Sequence, residues 1–272
     1  MSSCEVTEKH ECKDVDTLVE LIRFRKLASK STNKEITNVI NKFMDEESAD
    51  VIFEVDNGSR QNEEEHTNKK SKSTTTLYAH RFILQDVSTM LAELCKPAQD
   101  GGDITTVSIT DVKPDIIKHM LYNAYGGKLS EEDLKSNAKD IIDACDKYGV
   151  VHLKLEAEAC YVDSTEITMD NMMDNLLYAD SKNLALLKEA VMDYIVANKG
   201  DILGKVSFSN VPGDTVSDVL AAMARGEQSG DGNSTDYNKM RVGTLRKMLD
   251  EKGLTADGSR EAMIALLKEE SA

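Results

Sequence analysis

The chain has 272 residues, 40% of them hydrophobic, enough for one generous core or two modest ones without disulfide or metal staples. Its formal net charge of −16 opposes generic attraction to phosphate backbones and anionic membranes, so a nucleic-acid contact needs a local basic face. Five cysteines (Cys4, Cys12, Cys95, Cys145, Cys160) are odd in number and scattered, which suits reduced thiols of the nucleus or cytoplasm better than a disulfide framework. No apolar run approaches a membrane span, and residues 1–14 lack the basic and apolar regions of a secretory signal.

Residues 1–14 read as a frayed tail, and Cys4, His10 and Cys12 do not complete a zinc ligand set. Helical spacing follows twice: over 15–27 through Val15, Leu18, Val19 and Ile22, and over 34–44 through Ile36, Val39, Ile40 and Phe43. The second of these apolar stripes must be covered either by its own domain or by a second copy of the chain. Next comes DVIFEV (50–55), rich in Val, Ile and Phe, and then LYAHRFIL (77–84), where an alternating strand pattern passes straight into a helical one. The two runs make an antiparallel pair if the polar stretch 56–76 is looped out as a disordered insertion. Lys69, Lys70 and Lys72 in that insertion are either a nuclear-import patch or solvated loop lysines.

Ser88 is placed to cap a short helix whose apolar positions are Met90, Leu91 and Leu94, ending before Pro97. ITTVSI (104–109) reads as a third strand. Pro114 opens a helix that buries Ile116, Ile117, Met120, Leu121 and Ala124 and closes at Gly126-Gly127. Ala138, Ile141, Ile142, Cys145 and Tyr148 form the face of the next helix, stopped by Gly149, and another starts at Val151. Residues 171–179 and 184–197 read as an antiparallel helical hairpin, a further short helix spans 215–224, and the Gly/Ser-rich stretch beyond it reads as a linker. At the end of the chain, Leu245, Met248 and Leu249 face Met263, Ile264 and Leu267 across a turn containing Gly253 and Gly258.

Several of these motifs occur in a set order: DVIF (50–53), YAHRFIL (78–84), ITDV (109–112), Tyr122 to Gly126, and DACDKYGVVHLK (143–154). Together they resemble a BTB/POZ domain. Residues 156–203, with LLYAD and VMDYIVANKGDIL, are similar to the BACK-like helical extension of speckle-type POZ proteins. Leu245, Leu249, Gly253, Leu254, Gly258, Arg260, Met263 and Leu267 resemble a SAP motif, a helix-extended-helix module associated with DNA and chromatin. The implied fold class is α+β, a small sheet flanked by helices with a helical-hairpin extension and a small C-terminal module. The implied division is a tail and helix over 1–32, a BTB/POZ domain over 33–150, a helical extension over 151–205, a short helix and linker over 206–235, and a SAP-like module over 236–272.

The resemblance implies a homodimer through Ile36, Val39, Ile40 and Phe43, with Asp50 and Arg81 as a charged pair near that interface. It also implies a substrate adaptor for a cullin-RING ubiquitin ligase, whose cullin-facing residues would be Leu94, Cys95, Lys96 and Tyr125; adaptors often carry an apolar-x-Glu motif there, and 94–97 has no glutamate. The SAP-like end would meet DNA through Arg246, Lys247, Lys252 and Arg260, although cations and acids are equal in number over 236–270. A protein-docking helical hairpin is the other reading of that end, and a chromatin-associated regulator without a ligase is the other reading of the chain. His80 reads as a hydrogen-bonded core residue rather than a general base. No phosphate-cradling glycine loop, metal motif or nucleophile-base grouping is present, so no catalysis, metal, cofactor, small-molecule substrate or membrane partner is expected.

Overall fold

The computed structural model describes residues 40–57, 73–97, 103–202, 206, 211–226 (side chains only to 223) and 236–270. The helix expected over 15–27, Ile36 and Val39, the lysines of the insertion, and the linker beyond 226 lie outside the described residues. The described chain falls into two compact units that divide after Cys160.

The first unit is built on a three-stranded sheet: β1 (Val51–Asp56), β2 (Thr74–Ala79) and β3 (Thr105–Ile109), in the order β2-β1-β3. β1 pairs antiparallel with β2, with Phe53 opposite Leu77, and parallel with β3, with Phe53 opposite Val107. A parallel neighbour requires a crossover. Helices α1 (Arg81–Val87) and α2 (Thr89–Leu94) supply it. Val51, Phe53 and Val55 alternate inward with Leu77, Ala79, Val107 and Ile109, so one face of the sheet is core. Ile104, expected in the third strand, precedes it and is exposed.

α3 (Pro114–Ala124) starts on its proline and buries Ile116, Ile117, Met120 and Leu121, while Ala124 is half-buried. α4 (Glu131–Tyr148) has the start and stop signals of its sequence: Ser130 accepts the Asp133 N–H, three acids fill the first turn, and Gly149 closes it at φ 66°. Ser88 Oγ caps α2 through the Met90 and Leu91 amides and also donates to the Tyr148 carbonyl at 2.6 Å, tying the start of α2 to the end of α4. The alternating LKLEAEA in α5 (Val151–Ser164) is buried throughout, with Lys154, Glu156 and Glu158 included; Lys154 Nζ lies 2.9 Å from Asp146 Oδ1.

The second unit is helical: α6 (Met172–Ser181), α7 (Ala185–Ala197), α8 (Lys199–Ile202), α9 (Gly213–Gly226), α10 (Val242–Glu251) and α11 (Arg260–Glu269). The α6–α7 turn places Asn183 at φ 53°, a conformation asparagine tolerates well. Lys188 reaches from α7 to Asp180 at 2.9 Å and Asp218 at 2.7 Å, joining α6, α7 and α9. α10 and α11 bury Val242, Leu245, Leu249, Met263, Ile264 and Leu267 between them and are joined by a non-helical stretch through Gly253 (φ 69°) and Gly258 (φ 115°).

Candidate interaction surfaces

Arg81 is the hub of the first unit. It begins α1 directly after β2, with only His80 between them. Its backbone N–H donates to Asp50 Oδ1 at 2.7 Å and its Nη1 to Asp50 Oδ2 at 3.1 Å. Nε donates to the Cys95 carbonyl at 2.7 Å and Nη2 to Thr105 Oγ1 at 3.0 Å, with longer bonds to the Asp50 and Asp103 carbonyls, both at 3.3 Å. The pair expected near a dimer interface thus fastens together the starts of β1, α1 and β3 and the end of α2 within one domain. The fork of donors on a guanidinium makes this possible.

His80 is buried beside it. Tyr125 Oη accepts the His80 backbone N–H at 2.9 Å and lies 2.6 Å from ring Nδ1. Assigning the phenol proton to Nδ1 leaves Nε2 protonated and donating to Ser48 Oγ at 2.9 Å, and Ser48 in turn donates to Asp45 Oδ2 at 2.6 Å. This assignment gives Ser48 no base, so the chain of bonds ties elements together and does not activate a nucleophile. Burial lowers the His80 imidazole below its ordinary value and pushes the Tyr125 phenol up to about 12. Hydrogen bonds from Lys42 and Ser48 hold Asp45 at about 2.

These contacts revise two expected surfaces. Of the helix expected over 34–44, the described part holds Ile40 alone in helical conformation; residues 41–44 form turns, with Met44 at φ 61°. Phe43 therefore lies beyond the helix and packs edge-on against Tyr122 (5.2 Å) and Tyr125 (5.6 Å) of its own domain, while Ile40 is half-buried. Of the four expected partner-facing residues, Tyr125 and Cys95 are fully buried. Tyr125 bonds inward to His80, and burial raises the Cys95 thiol to about 11. Leu94, 43% exposed, and Lys96, paired with Glu93 at 2.6 Å, do face outward. Met90, expected in the core of its helix, is also exposed, as is Phe82 on α1. The helical spacing of α2 was legible, but a six-residue helix lying on a sheet buries little beyond Leu91.

In the C-terminal pair the four expected cations separate. Lys247 and Lys252 are exposed, whereas Arg246 is 2% exposed and sits inside the module, too deep to meet a phosphate. Arg260 Nη2 donates to the Asn238 and Met240 carbonyls, both at 2.8 Å. Arg241, not among the selected four, reaches α7: its Nη2 is 2.6 Å from Asp193 Oδ2 and its Nε is 3.3 Å from Glu189 Oε2. Glu189 also accepts the Val242 N–H at 3.1 Å, capping α10 from a neighbouring helix. Burial pushes the Glu189 carboxyl above its ordinary range, against the pull of Arg241 and that N–H. Glu189 and Asp193 stand four residues apart on α7, and that spacing is the one sequence signal that they share a face. Among the described residues, no group of His, Cys, Asp and Glu could hold a metal ion, and no helix is long and apolar enough to cross a membrane.

Residues 40–165 match the family profile of the BTB/POZ domain. The chain is also similar to TD and POZ domain-containing protein 1-like of Mus musculus, 28% identical over 117 residues. That alignment covers 43% of this chain and 32% of the relative, so the chain spans about a third of the length of the curated relative it matches. The match spans the sheet, the Arg81 hub and the helices to α5, and it accords with a mixed α+β domain whose buried polar groups bind one another. The match to the BTB/POZ domain, in general a protein-interaction module, is confined to residues 40–165, a little under half of the chain.

Proposed function

We propose that the chain is a non-enzymatic, homodimeric scaffold of the nucleus or cytoplasm. In this reading it acts as a substrate adaptor for a cullin-RING ubiquitin ligase, and its C-terminal helical pair is a SAP-like module that docks a target or chromatin. The observation that carries the adaptor reading is the outward display of Met90 and Leu94 on α2 of a BTB/POZ domain, since large exposed apolar side chains favour a protein partner. Leu94 and Lys96 would then meet the partner, while the buried Tyr125 and Cys95 would not touch it. Pull-down with a cullin N-terminal region tests it: binding at micromolar concentration that Leu94→Asp abolishes is expected, and absence of binding removes the adaptor role. The second reading is a chromatin-associated transcriptional regulator with no ligase connection, favoured by the lack of a glutamate at 94–97.

Homodimerisation would use the apolar stripe expected over 34–44, through Ile36, Val39 and Ile40. Because Phe43 packs on its own domain, Ile40→Asp is the cleaner perturbation. Light scattering should then report half the parent mass; an unchanged mass rejects this helix as the interface. Chromatin docking would draw on Lys247, Lys252 and Arg260, and binding to duplex DNA must weaken as salt rises.

A further inference from the structure

The turn leading into α10 gathers positive charge. The bonds from Arg260 to the Asn238 and Met240 carbonyls set the first turn of α11 beside residues 238–241, where Lys239 and Arg241 lie. Asp236, at the start of the same turn, has its carboxyl held below the usual range first by the Asn238 amide and further by the charges of Lys239 and Lys268. Three cations, Lys239, Arg241 and Arg260, are thus drawn to the end of the helical pair where α10 and α11 begin, a grouping that their sequence spacing does not show.

Two acids of α7 cover this end. Asp193 takes Arg241 in a two-pronged grip, Oδ1 at 3.0 Å from Nη1 and Oδ2 at 2.6 Å from Nη2. Glu189 takes Arg241 Nε and the Val242 amide together. A guanidinium fork and the leading amide of a helix are the groups that a backbone phosphate engages. Here carboxylates of the same chain hold both. The Arg241–Asp193 pair is open to water, with side chains 62% and 52% exposed, so a competing anion can reach it and the pair itself holds weakly. Glu189 is 13% exposed and its carboxylate is penalised by burial, so its hold also comes at a cost to the closed arrangement.

We propose that Glu189 and Asp193 form an acidic latch over a phosphate-binding end of the C-terminal pair, so that duplex DNA competes with α7 for Arg241 and the Val242 amide. The latch rests on the chromatin-docking reading above and adds its regulation: the closed form binds weakly, and release from α7 creates the strong site.

The test uses the full chain and a fluorescein-labelled duplex of about 20 base pairs at about 50 mM salt. Glu189→Gln with Asp193→Asn removes the competing charges, and the glutamine can still accept the Val242 N–H. The double variant should bind roughly tenfold tighter than the parent, with a salt slope steeper by about one as Arg241 joins the phosphate contacts. Adding Arg241→Ala should return both quantities to the parent values. If circular dichroism shows helix loss in the double variant, Asp193→Asn alone is the substitute, with about a threefold gain expected. Measurable binding that is equal in parent and variant overturns the latch and leaves DNA docking standing. Absence of duplex binding by both overturns docking and latch together.

Discussion

Removing the Arg81 side chain tests whether the charged pair at the start of α1 holds the domain together or serves an interface between copies. The Nε bond to the Cys95 carbonyl and the Asp50 pair are its strongest contacts, at 2.7 and 3.1 Å. A hydrogen bond to a charged group contributes about 1.5–3 kcal/mol, and breaking a buried pair costs about 3–5. Arg81 is 16% exposed but Asp50 is 37% exposed, so water takes up part of the loss and about 3 kcal/mol is expected for Arg81→Ala. Arg81→Lys keeps the charge without the fork and should lose about half of that. Hydrogen exchange at the β1 and β3 amides reads this sheet separately from the helical unit, and about 3 kcal/mol corresponds to roughly a hundredfold faster exchange. The acceleration should not depend on protein concentration, because every Arg81 bond described lies within one chain. An acceleration of less than about threefold, or one that high concentration abolishes by mass action, refutes the reasoning.

Tyr125→Phe removes the hydroxyl that bonds His80 at backbone and ring, and should lower stability in chemical denaturation by about 1–2 kcal/mol. Because burial lowers the folded His80 below its ordinary value of 6.5, acidification protonates the unfolded chain first. Stability from this source is therefore full above about pH 6.5 and is lost as pH falls through the folded value; melting temperatures at about pH 7.5 and 5 should differ more for the parent than for His80→Asn. Gly127→Ala would set a Cβ 2.5 Å from ring carbons of Tyr122 and should destabilise by about 1–3 kcal/mol, with Tyr122→Leu restoring part of the loss in a thermal melt. Cys95 and Cys145, both buried with raised thiols, should resist iodoacetamide in the folded chain and react once urea is added; native labelling at the denatured rate would contradict their placement.

The sequence by itself determined the elements whose signals are local. Alternation in DVIFEV and the passage from LYA into RFIL marked β1, β2 and α1; Ser88, Pro114 and Gly149 marked helix ends by capping and by turn chemistry. The resemblance to a BTB/POZ domain rested on those same motifs. Tertiary structure alone decided which side chains remain outside. Tyr125 looks like a surface residue beside two glycines, yet it turns inward because His80, forty-five residues earlier, offers both a donor and an acceptor. Lys154, Glu156 and Glu158 stand at the charged positions of LKLEAEA, yet they are inside, since burial on every face depends on surroundings that one helix does not encode. The grip of Glu189 and Asp193 on Arg241 spans about fifty residues, and long-range pairing of charges leaves no periodicity to read. Capping, turn and pattern signals act over a few residues and survive in one dimension; exposure and ion pairing are set by what the fold brings alongside.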